Sequence, residues 1–303
     1  MVVNVILRRL SPISSRSLFS SWASMEKLSL RLGVVQSIAR EDKNENLKVA
    51  KEKIEELVRK NCDIIVLPEC FNSPYGTDYF PKYAEEIPDG ETSQFLKEMA
   101  SENKIHLVGG SIPEREGQDL FNTSTVWNPD GELICRHRKI HLFDINIPGG
   151  IQFQESSTLK AGNKVTTFTA HDWKFGIGIC YDLRFEELAR LYRNKGCHVI
   201  LYPGAFNWTT GPLHWELLLR GRAVDNQVYV AGVSGAYCPQ ASYQAWGHST
   251  VVDPMGQVVT KAKHDEAVFC VDLDMSLVEK VRQQIPVFSQ RRTDVYETVE
   301  KEL

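Results

Sequence analysis

The sequence predicts an α/β protein built in four layers, α-β-β-α, and three observations lead there. After Met25, segments with strand character and segments with helix character alternate along the chain. Two stretches also resemble each other and recur in the same order. Cys62-Asp-Ile-Ile-Val-Leu-Pro68 parallels Cys197-His-Val-Ile-Leu-Tyr-Pro203, and Thr125-Val-Trp-Asn-Pro-Asp-Gly131 parallels Thr250-Val-Val-Asp-Pro-Met-Gly256. Finally, no break rich in Pro, Gly or Ser separates these halves, so residues 26–303 read as one domain. Two pseudo-equivalent halves, each a sheet covered by helices on one side, bury their open faces by packing sheet on sheet.

The elements follow from local pattern. Leu28 to Val35 alternates as a strand, and Leu47, Ala50, Ile54, Leu57 and Val58 share one face of a helix starting near Asn44. Asp63–Leu67 is an apolar strand closed by Pro68; Phe95, Leu96, Met99 and Ala100 mark a second helix, and 105–112 a further strand. Thr123–Trp127 and Glu132–Arg136, joined by Asn128-Pro-Asp-Gly131, read as a hairpin. Lys174–Ile179 is a strand that runs into a helix from about Arg184 to Arg193, stopped by Gly196. His198–Tyr202 and Val228–Val233 are strands around a helix that opens at Pro212, a residue suited to a first helical turn. A last hairpin turns at Asp253-Pro-Met-Gly256.

Composition narrows the class. The chain has 303 residues, 42% hydrophobic and 24% charged, which excludes a disordered or collagen-like chain. Its net charge of −4 argues against nucleic acid or an anionic membrane as partner. Seven cysteines, odd in number and with no C-x-x-C pair, speak against a disulfide framework or a thiolate zinc site and for a reducing compartment. No apolar run reaches the roughly 18 residues of a membrane-spanning helix. Residues 1–25 stand apart: Arg8, Arg9 and Arg16, many serines, no acid and interspersed apolar residues suit a mitochondrial presequence, against a disordered extension ahead of a second start at Met25. The expected location is the mitochondrial matrix if that segment directs import, and the cytoplasm otherwise.

Three segments carry candidate chemistry. In Gly176-Ile-Gly-Ile-Cys180-Tyr-Asp-Leu-Arg184 a strand runs into a helix with Cys180 at the join, where helix N–H groups favour a thiolate. The alternative is a buried small hydrophobe. Glu69, in Leu67-Pro-Glu-Cys-Phe-Asn, follows an apolar strand. It is a solvated cap or, if it faces a cleft, a general base with a raised pKa. Arg136-His-Arg-Lys139-Ile-His-Leu-Phe is a solvated basic face or holds one buried lysine that stabilises an oxyanion. His137 and His141 have a spacing used for zinc on helices, but here they follow a hairpin and lack further ligands nearby.

Glu69, Lys139 and Cys180, 70 and then 41 positions apart, resemble the Glu-Lys-Cys signature of the nitrilase superfamily, the carbon–nitrogen hydrolases. The resemblance spans residues 28–300 and implies the four-layer α-β-β-α sandwich. It narrows at Leu67-Pro-Glu-Cys-Phe-Asn-Ser-Pro-Tyr-Gly76, at Tyr79–Pro88, at Lys139-Ile-His-Leu-Phe-Asp-Ile-Asn-Ile-Pro148 and at Phe153-Gln-Glu155-Ser, which are similar to the omega-amidase branch. Members of that branch hydrolyse the terminal amide of 2-oxoglutaramate, 2-oxosuccinamate and succinamate to a dicarboxylate and ammonia.

The resemblance implies roles. Cys180 is the nucleophile, Glu69 the general base, Lys139 with the N–H of Tyr181 the oxyanion holder, and Glu155 a second glutamate orienting lysine or substrate. Arg184, one turn past the cysteine, suits a substrate carboxylate because an arginine fork matches it. Phe206 and Thr210 match pocket-lining positions, with Tyr75 closing the pocket. No metal or organic cofactor is implied, and a homodimer through helices flanking the nucleophile is, with Ala189, Leu191 and Tyr192 supplying part of its surface. The competing readings are an amidase of the same superfamily acting on deaminated glutathione or an N-carbamoyl amino acid, a nitrile hydrolase, and a catalytically silent scaffold.

Overall fold

The computed structural model describes residues 28–301, so the targeting segment expected over 1–25 lies outside the described residues. The chain opens with β1 (Ser29–Gln36) and α1 (Lys43–Arg59), whose first turn is capped by Asp42 accepting from the N–H groups of Asn44 and Glu45. β2 (Ile64–Val66), α2 (Phe80–Tyr83), α3 (Glu91–Asn103) and β3 (His106–Val108) follow, then β4 (Ile112–Glu116), β5 (Asp119–Trp127) and β6 (Leu133–Arg138). A small hairpin, β7 (Asp144–Asn146) with β8 (Gln152–Gln154), leads to β9 (Thr167–Ala170) and β10 (Trp173–Ile177). α4 (Glu186–Asn194), β11 (Val199–Gly204), α5 (Gly211–Asn226, with Pro212 in its first turn) and β12 (Tyr229–Ser234) come next. β13 (Thr250–Val252), β14 (Val258–Lys261), β15 (Ala267–Asp274) and α6 (Met275–Gln284) complete the order.

Two large sheets result. One runs β15-β1-β2-β3-β5-β4 with β6 also paired to β5, and the other runs β14-β13-β12-β11-β10-β9. Their cores match: β1, β2 and β3 are parallel, then β5 and β6 antiparallel; β10, β11 and β12 are parallel, then β13 and β14 antiparallel. This is the internal repeat that the paired sequence segments predict. Alternation along the strands sorts the layers. Ile64 and Val66 of β2 and Val199 and Leu201 of β11 enter one shared core between the sheets, together with Leu32, Phe175, Ala231 and Val271. The intervening Ile65 joins the opposite layer, with Ile54 and Leu57 of α1 and Leu96 and Met99 of α3. Ile200 and Tyr202 of β11 likewise meet Leu188 and Tyr192 of α4 and Trp215 and Leu219 of α5. Helices, sheet, sheet, helices: the four-layer sandwich is present.

Three local expectations need correction. The strand expected over 105–112 ends at Val108, because Gly110 turns the chain at φ +55°, and a Cβ there would stand 2.0 Å from the Pro68 carbonyl oxygen. That close approach lays the Leu67-Pro68 backbone against the turn, and the Ser111 hydroxyl accepts from the Cys70 N–H at 3.1 Å, which fixes the loop bearing Glu69. The helix expected from Arg184 starts at Glu186, after a 3-10 turn over Cys180–Arg184. On α4, Ala189 and Tyr192 are fully buried against the second sheet, so they are core residues and not a docking surface.

Local reading leaves out α2, β4, β7, β8, β9, α6 and, with the largest consequence for the fold, β15. It comes from the end of the chain yet pairs antiparallel with β1 along its whole length, Ser29 opposite Asp274 through Gln36 opposite Ala267. The second half of the chain therefore completes the first sheet. Among the described residues no helix is long and apolar enough to cross a membrane.

Candidate active site

Each of the three reactive candidates lies just beyond the end of a strand. Glu69 follows β2, Lys139 follows β6 directly, and Cys180 follows β10. Cys180 opens its 3-10 turn at φ +48°, a strained backbone for a residue with a side chain. Two contacts hold it there. The Asp182 carboxylate accepts the Ile179 N–H at 2.8 Å, and β11 runs so close that a Cβ on Gly204 would lie 3.0 Å from the Cys180 Cα. The Ala205 N–H points at the Cys180 sulfur at 3.4 Å. The nucleophile candidate thus sits on a sharp turn and not at an α-helix N-terminus, so a backbone N–H and a nearby lysine take the place of the expected helix dipole.

Lys139 is fully buried between two carboxylates. Its Nζ lies 3.2 Å from Glu69 Oε1 and 2.9 Å from Glu155 Oε2. Glu155 is held in turn by the Phe143 N–H at 2.6 Å and the Tyr75 hydroxyl at 3.1 Å. Asn122 Nδ2 donates to Glu69 Oε1 at 2.9 Å, while Glu69 Oε2 accepts no hydrogen bond from another group among the described residues and the carboxyl interacts with the Cys180 thiol. Burial raises the Glu69 pKa, with Lys139 opposing and Glu155 adding to the rise. Burial and the Glu69 charge push the Cys180 thiol well up, so it is protonated at rest. Burial works against the Lys139 charge, but Glu155 and Glu69 outweigh it and keep the ammonium. A neutral thiol, a carboxylate of raised basicity and a fixed cation are what nucleophilic attack with proton transfer requires.

Next to the thiol is a tight cavity of about 10 Å³ lined by Cys180, Tyr181, Arg184, Phe206, Thr210 and Tyr243, among others. Arg184 lies with its guanidinium 4.6 Å from the Phe206 ring centre and 3.2 Å from His214 Nδ1, and no acid among the described residues pairs with it. A second cavity, about 50 Å³, reaches Glu69 and Tyr75 and shares Ala205 and Tyr243 with the first. The nine candidate site residues, Glu69, Tyr75, Lys139, Glu155, Cys180, Tyr181, Arg184, Phe206 and Thr210, are thus brought to one place. Tyr75 does more than cover the pocket, since its hydroxyl is bound to Glu155.

Sequence reading misses the bracing. His137 and His141, which flank Lys139, both turn to the buried Asp182, at 3.5 and 2.7 Å. Asp182 also accepts the His141 N–H at 2.9 Å. One carboxylate therefore ties the lysine segment to the cysteine turn, and its pKa is held far below the usual aspartate range: burial opposes this, but hydrogen bonds from both histidines outweigh it. The only signal for it in the sequence is an Asp two places after Cys180. Asn122 and Tyr243 carry none, because each reaches the site only through the fold. Tyr243 donates to the Ala205 carbonyl at 2.6 Å and packs on Tyr75 at 4.7 Å.

Comparison with known proteins agrees with this geometry. Residues 31–283 match the family model described as carbon-nitrogen hydrolase. The chain is 55% identical to Omega-amidase NIT2 of Mus musculus, across 89% of this chain and 97% of that protein. It is 54% identical to the Homo sapiens protein of the same name, across 88% and 97%. Among solved structures, Saccharomyces cerevisiae Nit3, a member of branch 10 of the nitrilase superfamily, superposes with a TM-score of 0.81 at 45% identity, covering 88% of this chain and 97% of that one. The C. elegans NitFhit protein superposes with a TM-score of 0.83 at 33% identity, covering 92% and 68%. A buried Glu-Lys-Cys cluster on a four-layer sandwich, and these likenesses over nearly the whole fold, have one reading: the chain belongs to the carbon-nitrogen hydrolase family.

Proposed function

We propose that the protein is an omega-amidase, hydrolysing the terminal amide of 2-oxoglutaramate, 2-oxosuccinamate and succinamate to a dicarboxylate and ammonia. The observation that carries this substrate class is Arg184, a cation without an acidic partner among the described residues, in the same small cavity as the Cys180 thiol. A substrate with an amide at one end and a carboxylate at the other spans those two groups. The omega-amidase name of the two mammalian relatives supports the same class.

The chemistry follows from the groups. Cys180 attacks the amide carbon as Glu69 takes its proton; the carbonyl oxygen becomes an oxyanion facing Lys139 and the Tyr181 N–H. Glu69 returns the proton to the departing nitrogen, and ammonia leaves a thioester. Glu69 then takes a proton from water, which attacks the thioester, and passes it to the departing Cys180 sulfur, restoring thiol and carboxylate. Glu155 and Tyr75 hold Lys139 in register, and Arg184, flanked by Phe206 and Thr210, holds the far carboxylate.

The helix flanking the site also supports a homodimer. Leu213, Leu217 and Val224 of α5 are exposed at helical spacing, beside exposed Met255, Val258 and Val259 of the β13–β14 hairpin. The composition of residues 1–25 supports delivery to the mitochondrial matrix.

Purified protein is expected to release ammonia from 2-oxoglutaramate, and Cys180→Ala to release none. Arg184→Leu should raise KM for 2-oxoglutaramate by roughly 10–100-fold, the loss of a charge-assisted contact, and leave a neutral amide such as propionamide within about threefold. Equal losses on both amides would remove Arg184 from carboxylate recognition, and faster turnover of deaminated glutathione would overturn the substrate class. Because Glu69 acts ionised and burial raises its pKa, kcat/KM should fall tenfold per pH unit on an acid limb lying above the ordinary glutamate value of 4.5. An acid limb at or below that value contradicts the assignment. Leu217→Asp should convert a dimer to a monomer in sedimentation, an unchanged dimer locating the interface elsewhere. Residues 1–25 fused to a fluorescent protein should carry it into mitochondria; diffuse cytoplasmic signal would refute import.

A further inference from the structure

On the helix-covered face of the first sheet, away from Cys180, two thiols meet across a strand. Cys270 on β15 stands directly opposite Gly33 on β1, and Gly33 stands opposite Ile65 on β2. Cys62 lies two residues before β2. Its sulfur is 2.7 Å from that of Cys270 although 208 positions separate them in the chain. They meet because Gly33 has no side chain. A Cβ built there would stand 3.1 Å from the Cys62 sulfur and equally close to the Ile65 and Leu57 side chains, so a side chain would crowd the Cys62 thiol. Glycine inside a strand weakens it, so a gap here has a cost that the thiol contact explains. Cys62 is buried and Cys270 is partly exposed, both reduced.

We propose that Cys62 and Cys270 are a redox pair that closes to an intramolecular disulfide under hydrogen peroxide, stapling β15 to the start of β2 across β1. The partly exposed Cys270 sulfur, as thiolate, attacks one peroxide oxygen; an S–O bond forms, the O–O bond breaks, and the released hydroxide takes a proton to leave as water. The Cys62 sulfur then attacks the Cys270 sulfur. The S–S bond forms, the S–O bond breaks, and hydroxide leaves with the Cys62 proton as a second water. Two thiols lose two electrons and two protons, and one peroxide becomes two waters. The staple ties the strand supplied by the end of the chain to the half that it completes. Closing so long a loop restricts the unfolded chain, and the oxidised form is the more stable one.

The test uses the full chain carrying Cys180→Ala, so that the site cysteine does not consume oxidant. After hydrogen peroxide, the intact mass should fall by two hydrogens, and a non-reducing tryptic digest should join the peptide 61–82 to the peptide 264–280. Fragmentation should place the link on Cys62 and not on Cys70, which shares its peptide. The melting temperature should rise by about 5 °C or more and return on addition of dithiothreitol. Cys270→Ala, at a partly exposed position, should fold and show neither the link nor the rise. Oxidation of Cys270 to a sulfinic acid without a link, a link through Cys238, or a melting temperature that rises equally in Cys270→Ala would overturn the proposal.

Discussion

A lysine ammonium removed from water and set between two carboxylates is the interaction on which the site depends. Lys139 is fully buried, and so are Glu69 and Glu155. One buried charge alone is very costly, and breaking a buried pair by deleting one partner leaves the other uncompensated. The fold therefore has to deliver all three together. It does so from three separate stretches of chain: the loop after β2, the end of β6, and the segment after β8. A fourth stretch, after β10, brings the thiol. The electrostatic consequence is that the cation stays charged, the base gains basicity from burial, and the nucleophile is held as a thiol until a proton can be passed on.

Such a cluster needs a rigid frame, and the two-sheet core supplies it. Strand ends of both sheets carry the three reactive candidates, and packed interiors do not yield easily to small displacements. Specific braces then set individual groups. Asp182 ties the turn of Cys180 to the histidines on either side of Lys139, and Asn122 holds the oxygen of Glu69 that faces Lys139. Gly110 and Gly204 act by absence, since a side chain on either would crowd the backbone that carries Glu69 or Cys180. The half-buried Arg184 is different. Without an acidic partner among the described residues, it leaves a positive charge for something from outside, and the relation between catalysis and recognition is the short distance across one cavity.

Much of this is legible in sequence because it is local or periodic. The apolar runs Ile64, Ile65 and Val66 and Val199, Ile200 and Leu201 encode strands buried on both faces, and the repeat of those strands encodes two like halves. The spacing of Glu69, Lys139 and Cys180 is recognisable because the residue types are chemically unusual in their settings: an acid after an apolar strand, a basic run after a hairpin, a cysteine among glycines. Local pattern takes the turn at Cys180 for a helix start, because five residues of 3-10 geometry and a following α-helix share the same apolar spacing. It likewise carries a strand through Gly110, whose left-handed turn is forced by the Pro68 backbone from another part of the chain.

By itself, then, the sequence determined the fold class and the two-fold repeat, through the pattern of apolar residues, and marked the three reactive residues and the arginine beside them through the family resemblance of the segments that carry them. The tertiary structure alone decided that β15 joins β1, that Asp182 braces the lysine, that Asn122 and Tyr243 border the site, and that Cys62 meets Cys270 over Gly33. Each of these is a contact between residues far apart in the chain. Local pattern does not specify such contacts; they arise when two sheets pack face to face and every strand end is brought to its place.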